Sequence, residues 1–453
     1  MIDYWKSQFD NKKIVILGFG QEGMSTYRFI RSVSDKCLIQ VMDQNIDKPD
    51  DLLIDIDIST YFYPKKRYLE FDQDVDMVFK SPGIPLMHLK GFIEPNKITS
   101  QSNEFIKVYK DHMVGITGTK GKSTVSTLIY ELLKTEGLDV ELIGNIGKPP
   151  FDYIPQKDPS TFFVYELSSH QLETVSVSPK YGIVLNIFQE HLDHYASYDH
   201  YAEAKMNIGR YQSEEDTLIY SALDKEIPKR LSGHKGKLIP ITKDDSVKRG
   251  LIVTPSGIDL VGDFDTLHLD QSLKRHIMGD HNLINIGVAV YITLLLGYNQ
   301  SEKREKVIET FPGLPHRLAF VANVNGVDFY NDSISTIPQA TIAAINALQK
   351  VDSVIIGGMD RGVDYGCLVD YINDHKSLKV ILLPTTGHHL YNRLEHQERL
   401  FLAKDMEEAV ITGKRITVRD SICLLSPAAA SYGVYKNFES RGRHFESFVK
   451  DSL

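Results

Sequence analysis

The run GITGTKGKST, Gly115 to Thr124, gathers residues that suit phosphate chemistry. Gly118, Thr119, Lys120 and Gly121 precede Lys122, Ser123 and Thr124. Glycines let successive backbone N–H groups turn inward as an anion nest, and a helix starting at its end adds unpaired N–H groups and a partial positive charge. Lys122 can reach the β- and γ-phosphates of a nucleoside triphosphate, while the hydroxyls of Ser123 and Thr124 suit Mg²⁺. The usual P-loop has another glycine where this chain has Ile116, so the loop is a variant whose glycine lies at Gly118. An ordinary polar turn is the plain alternative. The flanking strand-like MVGITG and helix-like STVSTLIYELLKTEG favour an ATP site.

A second glycine pattern, Gly18-Phe19-Gly20-Gln21-Glu22-Gly23, follows the apolar run Ile14–Leu17, and Asp43 lies 25 positions beyond Gly18. Taken alone it reads as an NAD site, which makes a dehydrogenase one rival reading. The same geometry holds any nucleotide diphosphate. A nucleotide-gated binding protein without catalysis is the other rival.

These motifs need strands and helices to hold them. In residues 1–105, a strand over Ile14–Leu17, a helix from Glu22 to about Val33 and a strand LIQVMD make a βαβ pattern. In residues 106–313, Val125, Leu128, Ile129, Leu132 and Leu133 fall at helical spacing after the phosphate loop, and Gly137 suits a helix stop. Strands are expected near 162–169 (FFVYELSS) and 182–188 (GIVLNIF). In residues 314–453, SVIIGG, KVILLPTT and SICLLSP alternate with the helix-like PQATIAAINALQ and KDMEEAVITG. The expected fold is α/β in three domains, each with a mainly parallel sheet. The first is Rossmann-like, the central one a P-loop-type ATPase, and the last Rossmann-like.

Bulk properties set limits. The 453 residues suit two to four domains, and 42% hydrophobic with 25% charged residues is ordinary for globular protein. A net charge of -9 disfavours nucleic acid as a partner. The three cysteines, Cys37, Cys367 and Cys423, show no metal or disulfide spacing. An N-terminus without an apolar h-region, and the lack of any uninterrupted apolar run of about 18 residues, point to a cytoplasmic protein with no membrane partner.

GITGTKGKST resembles the ATP loop of the Mur ligase superfamily, which includes folylpolyglutamate synthase. Further segments resemble the branch that adds glutamate to UDP-N-acetylmuramoyl-L-alanine. They are SPGI (81–84), GNIG (144–147), ELSSHQLE (166–173), HLDHYASYDHYAEAK (191–205), GDHNLIN (279–285), LPHR (314–317), NDSISTIP (331–338), LLSPAAAS (424–431) and KNFESRG (436–442). They fall in the family's order along nearly the whole chain.

The resemblance implies an ATP-dependent amide ligase. It would act through an acyl phosphate on UDP-N-acetylmuramoyl-L-alanine and glutamate, as a monomer, in peptidoglycan precursor synthesis. It implies that Ser123 and Glu166 ligate one Mg²⁺ and that His191 serves a second. Lys205 would be a carbamylated lysine supporting that second metal. Asn282, Asn285, Arg317 and Asp332 are implied to meet ATP, with domain closure bringing the last two to it. Gly18, Phe19, Gly20, Asp43, Ser81, Gly83, Asn145, Ser168 and Gln171 are implied to hold the UDP substrate, Asp43 near the uracil. Thr336, Arg361, Ser431 and Phe438 match a glutamate pocket, in which Arg361 could grip a carboxylate in bidentate fashion.

The chain departs from the family in places. Ile334 stands where many members have lysine, Lys120 where asparagine is common in this branch, Glu190 where aspartate precedes the metal histidine, and His170 where phenylalanine is common. D-Glutamate is the default amino acid. L-Glutamate, or the diaminopimelate-, lysine- and folate-type reactions of other members, are the alternatives.

Overall fold

The computed structural model describes residues 2–44, 60–63, 74–154, 160–188 and 194–451. Three sheets organise the chain. The first holds β1 (Lys13–Leu17), β2 (Leu38–Met42), β3 (Thr60–Tyr63), β4 (Met77–Lys80) and β5 (Ile98–Thr99) in the order β3-β2-β1-β4-β5, all parallel. The second holds β6 (Met113–Thr117), β7 (Val140–Gly144), β8 (Phe162–Glu166), β9 (Tyr181–Val184), β10 (Thr217–Ser221), β11 (Lys237–Thr242), β12 (Gly250–Thr254), β13 (Gly257–Gly262) and β14 (Phe264–Asp270). Its order is β14-β13-β12-β11-β10-β9-β6-β8-β7. The strands run parallel from β7 to β12, and β13 and β14 extend the edge antiparallel. The third holds β15 (Ala319–Val324), β16 (Val327–Asn331), β17 (Val351–Gly358), β18 (Lys379–Thr385), β19 (Leu400–Leu402) and β20 (Ile422–Leu425) in the order β15-β16-β20-β17-β18-β19, antiparallel only at β15.

The helices follow the apolar periodicity of the sequence. They are α1 (Ile2–Phe9), α2 (Gln21–Val33), α3 (Gln101–Tyr109), α4 (Lys122–Thr135), α5 (Ser169–Leu172), α6 (Tyr198–Arg210), α7 (Asp280–Leu295) and α8 (Ser301–Thr310), then α9 (Pro338–Leu348), α10 (Gly366–Asp374), α11 (Thr386–Tyr391), α12 (Met406–Ile416) and α13 (Phe438–Lys450). Strand β9 ends at Val184, short of the expected Phe188. Leu185 still bonds Thr117, but Asn186 turns to meet Thr119, so the chain leaves the ladder to brace the phosphate loop.

The chain divides into two compact units. The first comprises Met1–Gln271 and Ile284–Arg304, the second Ser272–Leu283 and Glu305–Leu453. The first two sheets lie in one unit because a single core serves both. Trp5, Phe29 and Phe79 pack with Phe151, which belongs to the turn beyond β7, and Phe9 packs against the same three rings. Each such aromatic, fully buried, is worth about 1.5–3 kcal/mol. Ser25 adds a 2.7 Å bond to Asp152, and Tyr165 one of 2.7 Å to Ser102. The described residues contain no helix long and apolar enough to cross a membrane.

Candidate functional site

Strand β6 has β8 on one side and β9 on the other, so the loop after it lies at a topological switch point, where α/β sheets open a crevice beyond their carboxyl ends. Gly118 has φ 155° and Gly121 φ 88°, both in the region that favours glycine. A Cβ on Gly121 would lie 3.0 Å from Asn285 Oδ1, which places the Asn285 side chain against the loop. Asn282 bonds locally, its Nδ2 donating to Met278 O at 2.9 Å. Asn186 fixes the loop from β9: its carbonyl accepts from Thr119 N at 2.9 Å and its Oδ1 from Lys120 N at 2.8 Å. The Thr119 hydroxyl lies 2.9 Å from the hydroxyl of Tyr201 on α6.

Two ammoniums meet one carbonyl oxygen here. Lys122 Nζ and Lys205 Nζ each donate to Gly118 O at 2.9 Å, and Lys122 also reaches Thr119 O at 3.1 Å. The two charges therefore lie within about 6 Å, a repulsion on the order of 3 kcal/mol at an effective dielectric constant of 20. Lys205 is buried on α6, 4.9 Å from the centre of the Tyr201 ring. An anion, or an anionic modification of Lys205, would relieve that repulsion. Ser123 and Thr124 occupy the first turn of α4.

Glu166 ends β8 opposite Ile116 of β6 and is fully buried. Its Oε1 accepts from Asn145 Nδ2 at 2.8 Å, whereas its Oε2 is buried with no hydrogen-bond partner among the described residues. A buried carboxylate oxygen without a donor is costly, so this site fits a cation. His191 and Glu190 lie outside the described residues. Asn145 lies within bonding distance of Glu166, a pairing with no local sequence signal.

The second glycine loop also stands at a switch point, between β1 and β4. Ser81 N donates to Leu17 O at 2.9 Å and Ser81 Oγ to Gly18 O at 2.8 Å, while Phe19 N donates to Asp43 Oδ2 at 2.7 Å. Gly18, Gly20, Asp43, Ser81 and Gly83 line a cavity of about 330 Å³. Gly23 has no room for a side chain, since a Cβ there would lie 2.1 Å from Gly18 O. Ser168 caps α5, and Gln171 closes that capping box while its Nε2 donates to Glu22 Oε1 at 2.7 Å.

In the second unit, the LPHR turn is bound to the NDS loop. His316 Nδ1 lies 2.8 Å from Asn331 Nδ2, Ile334 N donates to His316 O, and Arg317 is exposed. Asp332 is buried beyond β16, where its carboxylate accepts from Ser426 Oγ at 2.8 Å and Leu318 N at 3.3 Å. Burial pushes its pKa up to about 6. Buried Arg441 of α13 laces two loops together. Its guanidinium donates to Ser333 Oγ, Ser333 O and Ala429 O, and Ser333 Oγ donates to Phe438 O. Met359 N bonds Ala430 O, which brings the segment leading from β17 to Arg361 beside Ser431; Arg361 is exposed and Thr336 and Phe438 are partly buried.

A ligase at 31% identity, the UDP-N-acetylmuramoylalanine–D-glutamate ligase of Clostridium kluyveri, aligns over 85% of both chains. The chain belongs to the Mur ligase family. The model of the Mur ligase middle domain matches residues 116–293, which contain the phosphate loop, Glu166 and Lys205. The relative of the same name from Caldicellulosiruptor bescii is 32% identical over 98% of both chains. The MurF ligase of Thermotoga maritima in complex with ADP shares the fold of this Mur ligase family member, with a TM-score of 0.53 at 16% identity over 99% of this chain and 97% of that one.

The raised Asp332 pKa has a consequence for stability. A carboxyl whose folded pKa exceeds its unfolded value contributes stability that is full below about 3.8 and lost as pH rises through about 6. The stability of Asp332→Asn relative to the parent should therefore improve by on the order of 3 kcal/mol between about pH 3.5 and pH 7.5. Urea unfolding of both proteins across that range checks it, and curves that stay parallel would contradict it.

Proposed function

We propose that this chain joins D-glutamate to the alanine carboxyl of UDP-N-acetylmuramoyl-L-alanine at the expense of ATP, in peptidoglycan precursor synthesis. The observation that carries this reading is the buried, half-satisfied Glu166 carboxylate at the end of β8, beside a phosphate loop in which two lysines share one carbonyl. The names of the relatives supply the substrates.

In this reading the diphosphate lies at the β1/β4 switch point, against Gly18, Phe19, Gly20, Ser81 and Gly83, with Asp43 toward the uracil. Asn145, Ser168 and Gln171 serve the sugar side. Gly118 to Thr124 cradle the ATP phosphates, and Lys122 leaves its carbonyl partners for the β- and γ-phosphates. Asn282, Asn285, Arg317 and Asp332 are assigned to the nucleotide. The substrate carboxylate oxygen attacks the γ-phosphorus and ADP leaves. The glutamate amine then attacks the acyl carbon, loses a proton, and phosphate departs. Ser123 and Glu166 would hold one Mg²⁺, and His191 with carbamylated Lys205 a second; these ions would offset the charge gathered by phosphates and carboxylate. Thr336, Arg361, Ser431 and Phe438 take the amino acid. The domain assignment is residues 1–105 for the UDP substrate, 106–313 for ATP and 314–453 for glutamate, in a cytoplasmic monomer.

The test is phosphate release by purified protein with ATP, Mg²⁺ and UDP-N-acetylmuramoyl-L-alanine, across D- and L-amino acids. D-Glutamate is expected to give turnover. Release with L-glutamate alone would reassign the amino acid, the alternative raised by Ile334 in the NDS loop, where many family members have lysine. No release with either would overturn the assignment. Lys205→Ala should lose at least about 100-fold in kcat and regain part of it with added short-chain carboxylic acids. Indifference to those acids would remove the carbamate.

A further inference from the structure

Lys80 is the last residue of β4, and its side chain is fully buried. Burying an ammonium costs several kcal/mol even when it is paired, so its presence needs a reason. The residues that follow are the Ser81–Gly83 loop, which lines the cavity at the β1/β4 switch point. Lys80 Nζ donates to Ile84 O at 2.7 Å and reaches Ser81 O at 3.5 Å, so one ammonium holds both ends of that loop. On its other side it pairs with Glu173 Oε2 at 3.1 Å.

Glu173 follows α5, the short helix capped by Ser168 two residues beyond Glu166. The same carboxylate oxygen lies 3.4 Å from His194 Nε2. Gln171, also on α5, bonds Glu22 in the first turn of the helix that follows Gly20. The second sheet thus grips both loops of the β1/β4 cavity: α2 through Gln171, and Ser81–Gly83 through Glu173 and Lys80. All these groups belong to the first compact unit.

We propose that Lys80 is a positioning residue for the nucleotide-sugar substrate. It clamps the Ser81–Gly83 loop to α5, and so sets the diphosphate end of the substrate in register with the carboxylate end near Glu166. This inference rests on the reading of the β1/β4 cavity as the diphosphate site. An apolar residue there would fill the space but take the ammonium from Ile84 O, leaving Ser81 O only its bond from Ile84 N. Lys80 touches no reacting atom, so its loss weakens substrate binding and leaves the phosphoryl-transfer machinery intact.

The experiment is steady-state kinetics on full-length Lys80→Met, the double variant Lys80→Met/Glu173→Gln, and Asp43→Ala as a probe of the cavity itself. Lys80→Met should raise KM for UDP-N-acetylmuramoyl-L-alanine about 10-fold or more, with KM for ATP and kcat within about 2-fold. Removing the Glu173 charge, left with the His194 ring at 3.4 Å, should restore much of the lost Tm in the double variant while the substrate KM stays high. The neutral pair also keeps the test readable if Lys80→Met alone is too unstable to purify. A KM that recovers together with Tm, or an equal rise in KM for ATP, would make Lys80 merely structural and overturn the inference. So would an unchanged substrate KM in the Lys80 variants while Asp43→Ala raises it. If Asp43→Ala leaves that KM unchanged, the reading of the β1/β4 cavity as the nucleotide site itself fails, and the role of Lys80 with it.

Discussion

The carbonyl oxygen of Gly118 accepts from two lysine ammoniums, and the rest of the site is arranged around that contact. Two like charges on one acceptor repel, and an anion between them or on one of them would lower that repulsion. The strand register makes the contact possible. Thr117 of β6 pairs with Val184, which lets Asn186 reach back to the loop, while Ile116 pairs with Glu166, which sets a carboxylate on the other flank. Helix α6 then delivers Lys205 with Tyr201 one turn before it, so the threonine of the loop and the second lysine are held by the same helix. The loop thus gathers positive charge at the carboxyl end of β6, an arrangement suited to the proposed phosphate site.

The loops around the β1/β4 cavity depend on the second sheet as much as on the first. A single aromatic core joins the two, and Asp152, Gln171 and Glu173 contribute polar contacts to α2 and to the end of β4. Specificity for a long nucleotide-sugar substrate requires that its two ends be held at a fixed separation, and a shared core supplies that rigidity. In the second unit Arg441 performs a comparable service, tying the NDS loop and the SPAAAS segment to α13 through one guanidinium. Its pKa is brought down to about 10 by burial, so it stays cationic at neutral pH and keeps its bonds.

The parts of this arrangement that repeat locally were legible in the sequence. Apolar runs marked β1, β6, β8, β17, β18 and β20. Periodic Val125, Leu128, Ile129 and Leu132 marked α4, and the glycine patterns marked both loops. The antiparallel edge β13–β14 was not, because strand β14, FDTLHLD, is largely exposed and lacks a continuous apolar run. Nor was the pairing of Asn145 with Glu166, or the grip of Lys80 on Ser81–Ile84. Such contacts join residues whose nearness is made by sheet order, and no local spacing encodes sheet order. His170, at a position more often phenylalanine, packs 4.0 Å from the His194 ring beside Glu173, a neighbourhood that appears only when α5 and the start of α6 are placed together.

Activation of a carboxylate by the phosphate loop is tested most directly by oxygen transfer. UDP-N-acetylmuramoyl-L-alanine labelled with ¹⁸O in the alanine carboxyl would be turned over with ATP and glutamate, and the released phosphate examined by mass spectrometry. An acyl phosphate requires one carboxyl oxygen to leave with each phosphate, so singly labelled phosphate is the predicted result. Unlabelled phosphate formed at the same rate as the amide would mean that the carboxylate is never phosphorylated, and would contradict the role assigned to Gly118–Thr124.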